Sequence, residues 1–167
     1  MQPRFLKGID ASKKEKLIAN QLNVIRCCAD YDIPVILIEY NIEYTEYEFE
    51  SNEESTVEVL LKAVEMIPRR EKITKKTVNA FTHPYLSAYL RHWQVDGILL
   101  MGVCASACVK LTAEGALGRG FKIATSGDLI SDEGEDKPDM SWYRQNGLVF
   151  KDSRKTIEAL INKENKE

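Results

Sequence analysis

The chain has 167 residues, of which 44% are hydrophobic and 29% charged, and its formal net charge is −3. This length suits one sizeable core, so we predict a single domain over residues 1–167. A slightly acidic chain offers no basic field to phosphate backbones, which argues against nucleic-acid partners. The apolar run 97–103 is strand-length and too short to cross a membrane, so we expect no membrane partner either.

The chain contains four cysteines: Cys27, Cys28, Cys104 and Cys108. Because the N-terminus lacks the layout of a signal peptide, we expect reduced thiols in a cytoplasmic protein. Cys104 and Cys108 could form half of a metal site. However, no second Cys/His pair follows at a suitable spacing, and His83 and His92 are nine residues apart. The sequence therefore predicts neither a metal nor a cofactor.

The first half of the chain alternates helix and strand signals. Apolar residues at helical spacing predict a helix over residues 12–31, with Ser12 as its cap. The unbroken β-branched run after Pro34 predicts a strand over 34–38 that is covered on both faces. An acidic, tyrosine-rich loop is expected over 41–55. A helix over 56–67, a strand over 71–75 and a helix over 84–93 follow.

The second half contains the clearest strand, residues 97–103, which leads through Cys104 to Cys108 and then into a helix that ends near Leu117. The remaining predicted elements are a strand over 121–125, an acidic loop over 127–138, a helix over 139–145, a strand over 147–150 and a helix over 153–163. Short apolar strands that alternate with helices predict an α/β fold, with a parallel sheet and helices on both faces.

Cys108 is the best candidate for chemistry, because parallel sheets place functional groups at the carboxyl ends of their strands. A helix N-terminus favours the thiolate, and its N–H groups could hold an oxyanion. We expect Ser106 to cap this helix and to place Cys108 in its first turn. The alternative is that Cys108 is a small core residue, and for Cys104 that alternative is the stronger one.

A nucleophilic thiol needs a group that takes its proton or stabilises its charge. Neither His83 nor His92 is a convincing partner, since each is placed like a surface or capping residue. Lys75 and Lys76 end a predicted strand and point to the same sheet edge as Cys108. Burial could adapt either lysine to this role, although both could equally be solvated.

Two segments, in the correct order, resemble the isochorismatase-like cysteine hydrolases. The family has an apolar strand that ends in Gly-Val, four further residues and then the nucleophilic Cys, as residues 96–108 do here. Thr112-Ala113 and Gly120-Phe121 extend this match. Upstream, residues 75–81 resemble the family's lysine motif, and the Ala-Phe pair five residues on selects Lys75 over Lys76. The resemblance covers nearly the whole chain.

This resemblance implies a Rossmann-like, six-stranded parallel sheet that carries a Cys, Lys and Asp triad. Cys108 would attack a carbonyl carbon and form a thioester, while Lys75 stabilises charge. A cis peptide between Val103 and Cys104 would turn backbone N–H groups toward the oxyanion. Because family members cleave amide-like C–N bonds, the expected reaction is metal-independent hydrolysis of a small amide or carbamoyl substrate by a homodimer or homotetramer.

The sequence departs from the family in two places. Ala105-Ser106 replaces the usual Thr-Asp or Thr-Glu, which changes the hydrogen bonds of the loop. The triad Asp ends the family's first strand, whereas residues 1–5 fit only the tail of that pattern, so we expect no counterpart of that strand or Asp. Asp10 is a poor substitute, because it precedes the first helix. The alternative function is therefore a catalytically silent binding or oligomerisation module.

Nicotinamidases resemble this fold but carry an Asp/His/His metal cluster after the second strand. Residues 39–44 contain no histidine, which argues against a metal and against nicotinamidase activity. Tyr40, Tyr44 and Tyr47 could line a pocket or a subunit contact, or could be solvated. A flavodoxin-like ligand-binding domain is a weaker possibility, since no glycine-rich phosphate loop is present.

Overall fold

The structure, a computed structural model, describes residues 1–41, 55–134 and 137–164. Its α-helices are α1 (Ala11–Asp30), α2 (Glu58–Glu65), α3 (Leu86–His92), α4 (Lys110–Leu117), α5 (Ser141–Asn146) and α6 (Ser153–Glu164). Its strands are β1 (Val35–Tyr40), β2 (Arg70–Lys75), β3 (Gly97–Leu99), β4 (Gly102–Val103), β5 (Lys122–Ser126), β6 (Ile130–Ser131) and β7 (Leu148–Phe150). Short 3-10 helices span Pro3–Leu6 and Ala80–Thr82, and a π-helical turn spans Ala105–Val109.

The strands pair in parallel throughout the part of the chain that the structure describes. β1 pairs with β2, β5 lies between β3 and β7, and β4 pairs with β6. Parallel strands need crossover connections, and helices supply most of them here. The predicted α/β class is therefore confirmed. No helix among the described residues is long and apolar enough to cross a membrane.

Helices cover the strands from both faces. On β1, Ile36 and Ile38 pack against a core cluster that draws on α3, α4 and α5. Val35 and Leu37 pack against a second cluster that draws mainly on α1 and α2, with α6 against it. Because alternate residues of a strand face opposite ways, two covered faces require the unbroken apolar run seen in β1.

Three sequence predictions about element boundaries are wrong. Asp10, rather than Ser12, caps α1, since its carboxylate accepts a hydrogen bond from the Lys13 N–H at 3.0 Å. The predicted strand 97–103 is divided into β3 and β4, with two intervening residues between them. The acidic loop 127–138 contains the short strand β6, which is held by pairing with β4 rather than by its own apolar pattern.

The edge of β1 that faces away from β2 has no strand paired to it among the described residues. The same holds for the edge of β3 that faces away from β5. Residues 1–5, which fit only the part of the family pattern that follows the triad Asp, lead into a 3-10 helix over Pro3–Leu6. Beside it, the Gln2 side chain accepts a hydrogen bond from the Tyr40 N–H at 2.7 Å and donates one to the Tyr40 carbonyl at 3.1 Å. Gln2 therefore satisfies the end of β1 as a neighbouring strand would.

Candidate active site

A cavity of about 100 Å³ lies between β1 and the β3–β4 segment, at the carboxyl ends of the strands. Its lining residues are Met1, Gln2, Phe5, Ile38, Tyr40, Lys75, Leu100, Met101, Gly102, Val103, Cys108, Val109 and Thr112. The fold thus brings Lys75 and Cys108, the two strongest sequence candidates, to one cavity. Open α/β sheets bind ligands at this edge.

Cys108 lies in the π-helical turn that follows β4 after one intervening residue, and it is partly buried there. The Val109 N–H donates to the Cys104 carbonyl at 3.1 Å, five residues back, which closes this wider turn. Gly102 enters the turn with φ +135°, a conformation that glycine adopts without steric cost. The Val103–Cys104 peptide bond is cis, the geometry that the family resemblance implies at this bond.

The predicted capping role of Ser106 is wrong. Ser106 lies inside the turn, and both its N–H and its hydroxyl donate to Oδ1 of Asp132, at 2.9 and 2.8 Å. The carboxylate that favours the start of this helix therefore comes from the loop after β6. The sequence analysis missed Asp132, because this residue lies 26 positions after Ser106 in the chain and no local sequence pattern indicates their contact.

Lys75 is the last residue of β2, and only 5% of it is exposed. Its Nζ donates to the Val78 carbonyl at 2.5 Å and lies 5.2 Å from the centre of the Tyr40 ring, and the residue lines the same cavity as Cys108. Burial lowers the pKa of Lys75, while the negative charge of a Cys108 thiolate acts in the opposite direction. The neighbouring Lys76 is exposed and does not line the cavity, so of these two lysines Lys75 alone reaches the space beside Cys108.

The three other cysteines are placed less favourably for nucleophilic chemistry. Burial raises the pKa of Cys28 to about 12, and burial followed by the nearby Asp30 charge raises the pKa of Cys27. Cys104 is partly buried outside the cavity lining. Burial raises its pKa, and a Cys108 thiolate adds to the effect. All three therefore favour the protonated, less reactive thiol.

Neither histidine lines the cavity. His83 follows the 3-10 helix Ala80–Thr82 and contacts the Tyr85 ring edge-on, while His92 is the last residue of α3. Both histidines therefore lie outside the lining of the cavity that contains Cys108. Within the described residues, no group of three His, Cys, Asp or Glu side chains could hold a metal ion.

One of the three tyrosines considered in the sequence lines the cavity. The Tyr40 ring stacks on Phe5, with the two ring centres 6.1 Å apart. The other two, at positions 44 and 47, lie outside the described residues. Tyr40 and Phe5 therefore form an aromatic wall of the cavity.

The cavity lining contains no carboxylate within the described part of the chain. Asp10 is occupied as the cap of α1. The buried Glu39 binds Lys72 at 2.8 Å and accepts the Thr56 N–H at 2.8 Å. Burial alone would raise the pKa of Glu39, but these two contacts lower it overall, so this carboxylate stays charged.

The sequence model of a protein family, the isochorismatase domain, matches residues 1–149 of this chain. The chain belongs to the isochorismatase family. No curated protein sequence matches this family member significantly. Its fold is similar to that of an isochorismatase-like hydrolase from Alkaliphilus metalliredigens, with 19% identity, a TM-score of 0.72 and coverage of 93% of this chain and 94% of that one.

Two other solved structures are similar to this isochorismatase-family chain. N-carbamoylsarcosine amidase from Thermoplasma acidophilum has 20% identity and a TM-score of 0.72, with 92% of each chain covered. A nicotinamidase from Staphylococcus aureus has 19% identity and a TM-score of 0.58, with 71% of this chain and 70% of that one covered. At these identities, the likeness establishes a shared fold. Family membership and these neighbours together support a hydrolase.

Proposed function

We propose that this protein is a metal-independent cysteine hydrolase that cleaves a C–N bond of a small amide or carbamoyl compound. The observation that carries the proposal is the buried Lys75 beside Cys108 in one cavity at the carboxyl ends of the strands. A thiol with an adjacent proton-exchanging group is the minimum equipment for covalent acyl transfer. The cavity also opens beside the helical turn, whose N–H groups and dipole favour an anion.

In the first half of the proposed reaction, the Cys108 thiolate attacks the substrate carbonyl carbon and a C–S bond forms. The resulting oxyanion is held by backbone N–H groups at the start of the π-helical turn, next to the Val103–Cys104 peptide bond. The Lys75 ammonium then gives a proton to the leaving nitrogen, the C–N bond breaks, and a thioester remains. Burial, which lowers the pKa of Lys75, makes this proton transfer easier.

In the second half, the neutral Lys75 amine takes a proton from water while the oxygen of that water attacks the thioester. The C–S bond breaks, the acid product leaves, and the Cys108 thiolate and Lys75 ammonium are restored. This cycle assigns the proton transfers to Lys75 and needs no carboxylate in the cavity lining.

The names of two structural neighbours supply the first probes, N-carbamoylsarcosine and nicotinamide. We expect turnover of the carbamoyl compound rather than of nicotinamide, because residues 39–44 lack the histidines of the nicotinamidase metal cluster. Ammonia release from these two compounds and from a panel of small primary amides measures the activity.

Three substitutions test the roles of the two residues. Cys108→Ala should lower ammonia release at least about 10³-fold, since it removes the nucleophile. Lys75→Met should lower it about 10²-fold or more. Lys75→Arg keeps the charge but cannot release the proton, so it should not restore turnover. Lys76→Met, a change at the exposed neighbouring lysine, is the matched control and should be close to wild type.

Full activity in Cys108→Ala would overturn the assignment of the nucleophile. Full activity in Lys75→Arg would show that Lys75 supplies charge alone. A thioester observed by intact-protein mass spectrometry in the wild type, and missing in Cys108→Ala, would support the covalent route directly.

The second candidate function is a catalytically silent binding or oligomerisation module. It is favoured by one observation, the absence of a carboxylate from the described cavity lining. A silent protein would release no ammonia from any member of the panel. Its Cys108 would also react with iodoacetamide no faster than Cys104.

A further inference from the structure

Two side chains from distant elements hold a single peptide unit next to the nucleophile. The carbonyl of Ala105 accepts a hydrogen bond from the Tyr143 hydroxyl at 2.6 Å. The N–H of Ser106, on the other side of the same peptide bond, donates to Asp132 at 2.9 Å. The Ala105–Ser106 peptide, two residues before Cys108, is therefore hydrogen-bonded to a side chain at both its carbonyl and its N–H.

Both residues that make these hydrogen bonds, Tyr143 and Asp132, are held in place by the surrounding fold. Tyr143 lies in α5 and is only 2% exposed, so its hydroxyl has little access to water as an alternative partner. Burial raises the pKa of Tyr143, which keeps its hydroxyl protonated as a donor. Asp132 directly follows β6, which pairs with β4, and its carbonyl accepts a hydrogen bond from Lys13 Nζ at 3.3 Å.

We propose that Tyr143 and Asp132 are positioning residues that fix the plane of the Ala105–Ser106 peptide and so orient the turn that carries Cys108. The consequence for catalysis rests on the proposed function, in which N–H groups of this turn hold the oxyanion. A preorganised donor is effective because it needs no reorientation when charge develops. A peptide held at one atom can still rotate about its neighbouring bonds, whereas one held at both cannot.

Because Tyr143 and Asp132 hold the same peptide, we can predict how substitutions at both residues combine. If either contact alone is lost, the peptide is held by a side chain at only one of its two polar atoms, and its plane is no longer fixed from both sides. The loss of the second contact then adds little, so the two effects should not multiply. Residues that act as a unit show this kind of non-additivity, whereas independent structural contacts change rates multiplicatively.

The test compares Tyr143→Phe, Asp132→Ala and the double variant with wild type. Each single change should lower kcat about three- to tenfold, with KM within about twofold. Tyr143→Phe removes one hydrogen bond, whereas Asp132→Ala removes the acceptor of both the Ser106 N–H and its hydroxyl and should lie at the upper end of this range. The double variant should be no more than about twofold slower than the slower single variant. Asp132→Asn keeps an acceptor oxygen and should recover most of the rate lost in Asp132→Ala.

Matched controls change the same residue types elsewhere. Tyr89→Phe alters a tyrosine that stacks on Trp93, and Asp152→Ala removes a carboxylate that accepts a hydrogen bond from the Lys155 N–H in the first turn of α6. Both should leave kcat within about twofold of wild type, since these contacts lie in other parts of the fold. Urea unfolding of every variant separates lost stability from lost positioning.

A second readout needs no substrate and keeps the two proposals separable. Iodoacetamide labelling of Cys108 at neutral pH should slow about three- to tenfold in Tyr143→Phe, while labelling of Cys27 and Cys28 stays unchanged. Unchanged labelling and kcat in Tyr143→Phe and Asp132→Ala, or fully multiplicative effects in the double variant, would overturn the positioning role. Hydrolysis that persists in Cys108→Ala would instead overturn the proposed function. The labelling rates of Cys108 would still test the positioning role of Tyr143 and Asp132.

Discussion

The two sides of the β3–β4 segment are built differently. Toward β5 and β6, backbone pairing is continuous: Leu100 N–H donates to the Ala124 carbonyl at 2.8 Å, and Gly102 N–H donates to the Leu129 carbonyl at 3.0 Å. Toward β1, the described residues contain no paired strand, and the cavity occupies the space between. We call these the paired side and the open side.

The difference assigns separate tasks to the two sides. The paired side holds the segment that leads to Cys108 through backbone hydrogen bonds, and Thr125 adds a buried hydrogen bond to the Leu100 carbonyl at 2.8 Å. The open side leaves room for a small molecule beside Cys108. It is closed at the Tyr40 end by side chains from the first residues, since Gln2 and Arg4 both bond to the Tyr40 backbone.

The largest expected effect comes from equal truncations on the two sides. Ile130, in β6 on the paired side, is 1% exposed, whereas Ile38, in β1 on the open side, is only partly buried. Ile130→Ala should lower the free energy of unfolding by about 2–5 kcal/mol, through lost burial and a residual cavity. Ile38→Ala should cost less than half as much, because its site is less enclosed. Urea unfolding measures both, and equal losses would contradict the comparison.

A smaller effect is expected at the side-chain contacts of the open side. Gln2→Ala removes the hydrogen bonds that the Gln2 amide makes with the Tyr40 backbone. The free energy of unfolding should fall by about 1–3 kcal/mol, and hydrogen exchange at the Tyr40 amide should accelerate. Gln145→Ala, at an exposed position of α5, is the control and should change stability by less than about 0.5 kcal/mol. If hydrogen exchange at the Tyr40 amide is unchanged in Gln2→Ala, then Gln2 does not protect the end of β1 as a paired strand would.

Local patterns predict most of the fold. The strand at β1 and the helix at α1 are recognisable because each buries a periodic or continuous apolar set. The strand β6 is missed, because two residues within an acidic loop carry no period and their pairing with β4 is long-range. The cap of α1 is misplaced by two residues, since Asp10 and Ser12 are both good capping types.

The candidate site is predictable in part. Lys75 and Cys108 follow apolar strands, and parallel topology brings such strand ends together. Tyr143 and Asp132 are not predictable as support for the turn, because they contact it across 38 and 26 residues. Such contacts depend on how α5 and the loop after β6 settle on the folded sheet, which no local spacing encodes.

The rate of thiol alkylation tests the central claim most directly. Cys104 and Cys108 are both partly buried and belong to the same short segment after β4, so Cys104 serves as an internal control for access. With iodoacetamide near neutral pH and peptide mass spectrometry, Cys108 should be labelled at least about tenfold faster than Cys104, Cys27 or Cys28. Lys75→Met should remove most of that advantage. Equal, slow labelling of all four cysteines would contradict the claim that Cys108 is an activated nucleophile.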